Sequence, residues 1–212
     1  MLDPFVGVGS TLVACQKLAR NGVGIEIVPK YVEIARKRLS QRTLLDVKQI
    51  VICGNALYLD KYLEEYNIPP IDFCITSPPY WRMLRTSRGN ADSVAKKRAK
   101  QGLDVSYPLV EGNLENIEDY DEFLDALETV FFKVYEAMKS NRYLVVITQN
   151  IRVESGEMKP LAWDLARRLA KKFILKQEMI WCQDNKPLSP WGYPYEYVSN
   201  VHHHYCLVFK KP

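Results

Sequence analysis

The sequence predicts an α/β fold in which helices lie on both faces of a doubly wound, mostly parallel sheet. Short apolar runs typical of buried strands alternate with helix-length segments whose apolar residues are three and four positions apart. A Gly-x-Gly loop within residues 3–11 leads into one such segment, and a Ser-Pro-Pro run within residues 76–81 directly follows an apolar run. With 212 residues and 47% hydrophobic content, the chain suits a single domain.

The apolar runs and their periodicity locate the individual elements. Strands are expected near residues 24–28, 49–53, 72–76, 143–148, 175–181 and 205–209, and helices near residues 12–20, from residue 29, 121–138 and 160–172. In the helix at 121–138, Phe123, Leu127 and Val134 share one side. The last two strands are joined without a helix, which suits an antiparallel final strand.

Gly7 and Gly9 are the most informative residues of the first loop. Because glycine has no Cβ atom, the backbone can approach a ligand closely there, and the amides that open the next helix can face a carboxylate or phosphate. The next apolar run ends in Glu26, at the spacing of a carboxylate that binds ribose hydroxyls. The alternative is that Glu26 is a solvated acid at a strand end. We interpret the pattern as half of a site for a nucleoside cofactor.

Two prolines stiffen the second loop. Pro78 and Pro79 end the preceding strand and hold the chain extended, so that the Ser77 hydroxyl, two carbonyls and the Tyr80 ring can converge. Such a cup would accept a flat ring that bears an amino group. The alternative is that the prolines only terminate a core strand and that Tyr80 caps the core.

These residues resemble the S-adenosylmethionine-dependent DNA amino-methyltransferases, which modify exocyclic nitrogens of cytosine or adenine. The segment 3–10 is similar to their cofactor motif, and 77–80 is similar to their catalytic motif. The resemblance extends through 143–150, Trp181 and the last strand. It implies a Rossmann-like class I methyltransferase domain over residues 1–212, with a cofactor half at 1–70 and a catalytic half at 71–212.

The resemblance also implies which residues bind S-adenosyl-L-methionine. The expected cofactor contacts are Asp3, Phe5, Gly7, Gly9, Glu26 and Asn55. Family members often have Asp at the position of Asn55, and an amide can also pair with an adenine edge.

For catalysis, the Ser77 side chain and the Pro78 carbonyl would hold the two amino hydrogens and direct the nitrogen lone pair at the methyl group. The target base would have to flip out of the helix, with Tyr80 and Trp81 stacking on it. In this family, Ser before Pro-Pro-Tyr accompanies chiefly the 4-amino group of cytosine. Adenine-N6 methylation and methylation of an RNA base amine are the alternatives.

Charge is concentrated directly after the second motif. Residues 82–100 contain seven basic residues and one acidic residue, a net +6 in a chain of net +4. We expect this part of an inserted region, 82–118, to neutralise DNA phosphates through Arg82, Arg85, Lys96, Lys97 and Arg98. A merely solvated loop is the alternative. A second candidate surface is 184–200, whose aromatic residues are interleaved with prolines.

Several other classes of protein do not fit the composition. No run approaches the roughly 20 apolar residues of a membrane helix, and no signal-peptide pattern opens the chain, so a cytoplasmic protein is expected. The five cysteines form no Cys-x-x-Cys pair and are expected to be reduced core thiols. No metal is expected at His202–His204, because neighbouring strand residues alternate faces.

Only Met1 and Leu2 precede Asp3, where the family has several strand residues. We expect a segment missing from the start, a homodimer or partner chain that completes the cofactor site, or poor binding of the cofactor. A non-catalytic DNA-binding subunit is a further alternative. The expected partner is DNA in each case, and an active enzyme would suit a restriction-modification system.

Overall fold

A seven-stranded sheet runs through the centre of the molecule. The computed structural model describes residues 1–40, 47–81, 110–153, 155–184, 188, 190–191 and 198–212. The seven strands of this sheet are β1 Leu2–Asp3, β2 Gly22–Glu26, β3 Gln49–Cys53, β4 Ile71–Thr76, β5 Met138–Thr148, β8 Ile174–Cys182 and β11 His203–Lys210. Two small hairpins, β6 Ile151–Arg152 with β7 Met158–Lys159 and β9 Pro190–Trp191 with β10 Val198–Ser199, lie outside the sheet.

Five helices of the described chain connect the strands, four of them near the positions that the sequence predicts. They are α1 Ser10–Lys17, α2 Pro29–Leu39, α3 Leu59–Glu65, α4 Tyr120–Ala137 and α5 Leu161–Leu169. Short 3₁₀ turns at Ala56–Tyr58 and Leu114–Asn116 precede α3 and α4.

The strand order is β3-β2-β1-β4-β5-β11-β8. β1 to β5 pair in parallel, whereas β11 is antiparallel to both β5 and β8. The chain thus begins with the central strand β1 and adds β2 and β3 on one side of it. It then returns to β4, on the other side of β1, and adds the remaining strands there. This confirms the doubly wound, mostly parallel sheet with an antiparallel last strand.

Two apolar clusters cover opposite faces of the sheet. Val51 belongs to a cluster with Leu12 of α1 and Val32 of α2, whereas its neighbour Ile52 belongs to a larger cluster with Phe123 of α4. Successive strand residues point to opposite faces, so α1 and α2 lie on one side and α4 on the other. This two-sided cover explains why the central strands read as nearly continuous apolar runs.

β1 is short yet central. Leu2 pairs with Val23 of β2 and with Cys74 of β4, and it is fully buried. Two residues are therefore enough to join the two halves of the sheet. The same strand brings Asp3 to the sheet's carboxyl edge.

Some boundaries and exposures differ from the sequence prediction. The helix expected at 121–138 ends at Ala137, and Met138 already begins β5, five residues before the predicted strand. The last buried apolar residue on the core-facing side of α4 is Val134. The spacing of apolar residues therefore does not indicate where the helix gives way to extended backbone. The prediction of core thiols is wrong for Cys53 and Cys182, which are exposed at strand ends; all five cysteines are free.

Candidate functional site

A cavity of about 300 Å³ opens at the carboxyl ends of the parallel strands. Its walls come from the loops that follow β1, β2, β3 and β4, together with residues 112–115. Eight of the residues predicted from sequence line it: Phe5, Gly7, Glu26, Asn55, Ser77, Pro78, Pro79 and Tyr80. The topology brings them together because parallel strands all end at the same edge.

A second cavity of about 640 Å³ lies beside the first. Phe5 and Ser77 line both cavities, and Asp3 lines only the second. Apolar side chains of β4 and α1 form much of its wall, among them Ile75 and Ala14. Ser77 therefore stands at the junction of the two spaces.

The two glycines of the first loop do different things. Gly7 has a φ of +53°, lines the first cavity, and has no atom within 4 Å of where a Cβ would be. Gly9 has a φ of +83°, and a Cβ there would lie 2.8 Å from the Cβ of Ala35 in α2. The close approach at Gly9 is thus to a helix, while only Gly7 leaves open space toward a ligand.

Glu26 ends β2 at the wall of the first cavity. Its Oε1 accepts the Val28 backbone N–H at 2.8 Å, and the amides of Gly7 and Ile27 also act on the carboxylate. Burial is the largest influence and raises the pKa of Glu26, while these amides lower it. An oriented acceptor of this kind can bind the hydroxyls of a ribose.

Asp3 is deeply buried and ties β1 to β4. Its Oδ1 accepts the Thr76 hydroxyl at 2.6 Å and the Phe5 backbone N–H at 3.1 Å. Burial raises the pKa of Asp3, and hydrogen bonds from Thr11, Thr76 and Phe5 oppose this. Asp3 faces the second cavity, so any ligand that it contacts lies there.

Asn55 uses both ends of its amide within the protein. The Oδ1 accepts the Leu57 N–H at 2.9 Å and caps a 3₁₀ turn, and the Nδ2 donates to the Gly112 carbonyl at 3.0 Å. The side chain lines the cavity while it joins the loop after β3 to the segment before α4. Asn55 thus shapes this wall in addition to any contact with an adenine edge.

The Ser-Pro-Pro-Tyr loop holds two hydroxyls together. The Ser77 Oγ and the Tyr80 hydroxyl oxygen are 2.6 Å apart, and the Tyr80 hydroxyl donates to the Ile147 carbonyl at 3.4 Å. Either hydroxyl can donate in the short contact, and in both cases the Ser77 oxygen keeps a lone pair for a further hydrogen bond. Burial raises the pKa of Tyr80 to about 12, so the phenol stays neutral at physiological pH.

Trp81 is anchored away from this loop. Its indole Nε1 donates to the Ile117 carbonyl at 3.2 Å, and its ring meets the edge of Tyr120 at 5.1 Å. Tyr120 in turn donates to the Asp164 carboxylate of α5 at 2.9 Å. These contacts fix Trp81 at the end of the Ser-Pro-Pro-Tyr loop, and stacking of Trp81 on a base stays a prediction.

Sequence reasoning missed part of the cavity wall. Tyr31 on α2 and the segment Gly112–Glu115 line it as well. Gly112 has a φ of +78°, and a Cβ there would lie 2.6 Å from the Asn55 Nδ2. The Gly-Asn pair at 112–113 is a turn signal, but its place beside the cavity depends on a contact 57 residues away in sequence.

Other predicted residues lie outside the described part of the chain. These are Arg82, Arg85, Lys96, Lys97 and Arg98, and the tyrosines of the 184–200 surface. Within the described ranges, no group of three or more His, Cys, Asp or Glu residues is arranged to hold a metal ion. The described helices include none that is long and apolar enough to cross a membrane.

The strand order and the cavity at the carboxyl ends of the parallel strands define a doubly wound α/β fold with a ligand site where the strand order reverses. A family model described as DNA methylase matches residues 1–37 and 71–212. The chain therefore belongs to this DNA methylase family.

Individual relatives cover shorter stretches. The chain is 26% identical over 137 residues to the type II methyltransferase M.MjaII of Methanocaldococcus jannaschii, covering 58% of this chain and 25% of the relative. It is 31% identical over 80 residues to the tRNA (guanine(10)-N2)-dimethyltransferase of the same organism, covering 38% of this chain and 23% of the relative. The chain thus spans at most about a quarter of these two relatives.

A solved structure agrees on the fold. The crystal structure of TrmN from Thermus thermophilus aligns with 100% of this chain and 43% of its own, with a TM-score of 0.57 and 13% identity. At this identity the likeness concerns the fold alone.

Proposed function

We propose that this chain methylates an exocyclic amino group in DNA, with cytosine N4 as the favoured target. The observation that carries the proposal is the Ser77–Tyr80 pair at the junction of the two cavities. Membership of the DNA methylase family supports DNA as the substrate, and Ser before Pro-Pro-Tyr favours cytosine.

The cavity residues fit the cofactor. Glu26 offers a hydrogen-bonded carboxylate at a wall where a ribose can bind, and the open space over Gly7 leaves room for a ligand. Phe5 forms a wall that both cavities share. When bound, S-adenosyl-L-methionine supplies an electrophilic methyl group.

The catalytic loop orients the acceptor amine. An exocyclic amine is a poor nucleophile while its lone pair is delocalised into the ring. Whichever hydroxyl donates in the Ser77–Tyr80 bond, the Ser77 oxygen keeps a lone pair that can accept one amino hydrogen, and the Pro78 carbonyl can accept the other. Held in this way, the nitrogen could pyramidalise and attack a methyl group supplied by the cofactor, with the C–S electron pair staying on sulfur, and the methylated amine would release its extra proton to water.

Neither hydroxyl acts as a strong base in this scheme. The raised pKa keeps Tyr80 protonated, and no carboxylate belongs to the Ser77–Tyr80 loop. In this scheme the rate acceleration comes from hydrogen bonds that hold the amine and orient its lone pair toward the methyl group.

Transfer of a labelled methyl group to unmethylated DNA of mixed sequence tests the proposal. Mass analysis of the product nucleosides would show N4-methylcytosine, and Ser77→Ala would lower kcat by at least about 100-fold. Ser40→Ala, at the end of α2 and outside both cavities, is the matched control. N6-methyladenine as the product would overturn the choice of base.

RNA is the second candidate substrate. The observation that favours it is the match to a tRNA (guanine(10)-N2)-dimethyltransferase, whose name also places methyl groups on an exocyclic nitrogen. An RNA arm in the same assay decides between the two substrates. Label in RNA alone would contradict the DNA proposal, and cofactor binding without transfer to either polymer would support a non-catalytic subunit.

A further inference from the structure

His204 lies behind the catalytic tyrosine. It belongs to β11 and is only 8% exposed. Its ring centroid is 5.7 Å from that of Tyr80, at an interplanar angle of 45°. On the other side, its ring is 5.5 Å from that of Trp181, at 35°. The histidine therefore stands between the reacting loop and an exposed tryptophan at the end of β8.

The position of His204 is set by the sheet. His204 and Trp181 are direct cross-strand partners in the β11–β8 pairing, so their side chains share one face. His203 lies on the opposite face and contacts Tyr205 instead, with ring centroids 4.9 Å apart. Adjacent histidines thus have separate aromatic partners, and of the two only His204 contacts the catalytic loop.

Tyr80 packs against the larger core cluster, and its two hydroxyl contacts restrain the tilt of its ring only weakly. The 3.4 Å bond to the Ile147 carbonyl is long, and the other contact, at 2.6 Å, is to Ser77 on the same loop. The His204 ring packs against the Tyr80 ring from β11. This contact restrains the plane of the Tyr80 ring more strongly than the contacts of its hydroxyl oxygen do. Aromatic pairs prefer tilted and offset geometries of this kind.

We propose that His204 is a positioning residue for methyl transfer: its ring, held by β11 and Trp181, fixes the plane of Tyr80. The Tyr80 hydroxyl is thereby held in its hydrogen bond with the Ser77 hydroxyl, and a Ser77 lone pair stays available to the amine. This inference rests on the proposed function for its kinetic consequence. Its structural part, the dependence of Tyr80 on His204, stands without it.

Three variants separate a stacking role from a general loss of stability. His204→Ala removes the ring, His204→Phe keeps an aromatic ring without its nitrogens, and His203→Ala is the matched control from the same strand. We expect His204→Ala to lower kcat by about tenfold, with the dissociation constant for S-adenosyl-L-methionine unchanged, because His204 does not line the cavities. His204→Phe should restore kcat to within about threefold of the original chain, and His203→Ala should leave it unchanged.

A spectroscopic readout keeps the proposal testable if the chain proves inactive. In protein labelled with 3-fluorotyrosine, the fluorine resonance of Tyr80 is identified by its loss in Tyr80→Phe. We expect His204→Ala to shift or broaden that resonance and His203→Ala to leave it in place. No methyl transfer by the unmodified chain would overturn the proposed function alone, while the resonance would still report on His204.

Three results would overturn the inference about His204. The first is an unmoved Tyr80 resonance in His204→Ala. The second is unchanged kcat in that variant, and the third is a His204→Phe variant as impaired as His204→Ala at equal thermal stability.

Discussion

The two glycines of the first loop should differ in what they do for the protein. Gly9→Ala is the informative change, because a Cβ at this position would lie 2.8 Å from the Cβ of Ala35 and 3.2 Å from its Cα. Neither atom can move without displacing α2. Gly7→Ala is the matched control, since Gly7 also has a positive φ but has open space where its Cβ would be.

The expected loss of stability has two parts. Alanine at positive φ costs about 1–2 kcal/mol, and this applies to both variants. Overpacking against Ala35 adds about 1–3 kcal/mol in Gly9→Ala alone. The free energy of unfolding should therefore fall by about 2–5 kcal/mol for Gly9→Ala and by about 1–2 kcal/mol for Gly7→Ala. At about 2–4 °C per kcal/mol for a chain of this size, Gly9→Ala should melt about 4–20 °C lower.

Urea unfolding and thermal melting of both variants measure the difference. In the double variant Gly9→Ala/Ala35→Gly, removal of the Ala35 Cβ should return part of the overpacking energy, a coupling of about 1 kcal/mol. Cofactor titration should show the opposite order, with the larger loss of affinity in Gly7→Ala. Equal destabilisation in the two single variants would refute the assignment of Gly9 to helix packing.

Four further predictions concern individual titratable residues of the cavities and the basic residues that follow the Ser-Pro-Pro-Tyr loop in sequence. Asp3→Asn should reduce the pH dependence of stability: because burial raises the folded pKa of Asp3 above the unfolded value of 3.8, the original chain should lose stability as pH rises from 3.8 through the folded pKa, and urea unfolding should show a smaller loss in the variant. Glu26→Gln should weaken cofactor binding by about 10-fold or more in calorimetry, since a charged acceptor is lost; unchanged affinity would leave Glu26 with only its structural role as acceptor of the loop amides. With the pKa of Tyr80 near 12, kcat should show no ionisation of Tyr80 between neutral pH and 10, and a fall that Tyr80→Phe abolishes would contradict this. Neutralising Lys96, Lys97 and Arg98 together should reduce the slope of log Kobs against log salt for DNA by about 3, and an unchanged slope would favour the solvated loop.

Much of the fold could be predicted from local pattern. Apolar runs placed Gln49–Cys53 as a strand with the bounds that the structure gives, and a helix was expected from Pro29. Such a strand is easy to recognise in a sequence because a strand that is covered on both faces contains few polar residues. The helix is easy to recognise because proline favours the first turn of a helix. Element boundaries inside continuous apolar segments are predicted less accurately, as at Met138. There the apolar residues fit both the helical and the strand spacing, so neither pattern marks the boundary.

The sequence by itself determined the residue types that converge on the cavity, because motifs such as Gly-x-Gly and Ser-Pro-Pro-Tyr encode local backbone geometry. It could not determine which residues from distant segments would meet them. The strand order brings Asp3 and Thr76 together in one hydrogen bond, and Gly112 and Asn55 in another. Likewise, only the antiparallel register of β11 places His204 behind Tyr80. The physical reason is that local geometry depends on neighbouring residues, whereas these contacts depend on how strands far apart in sequence pair in one sheet.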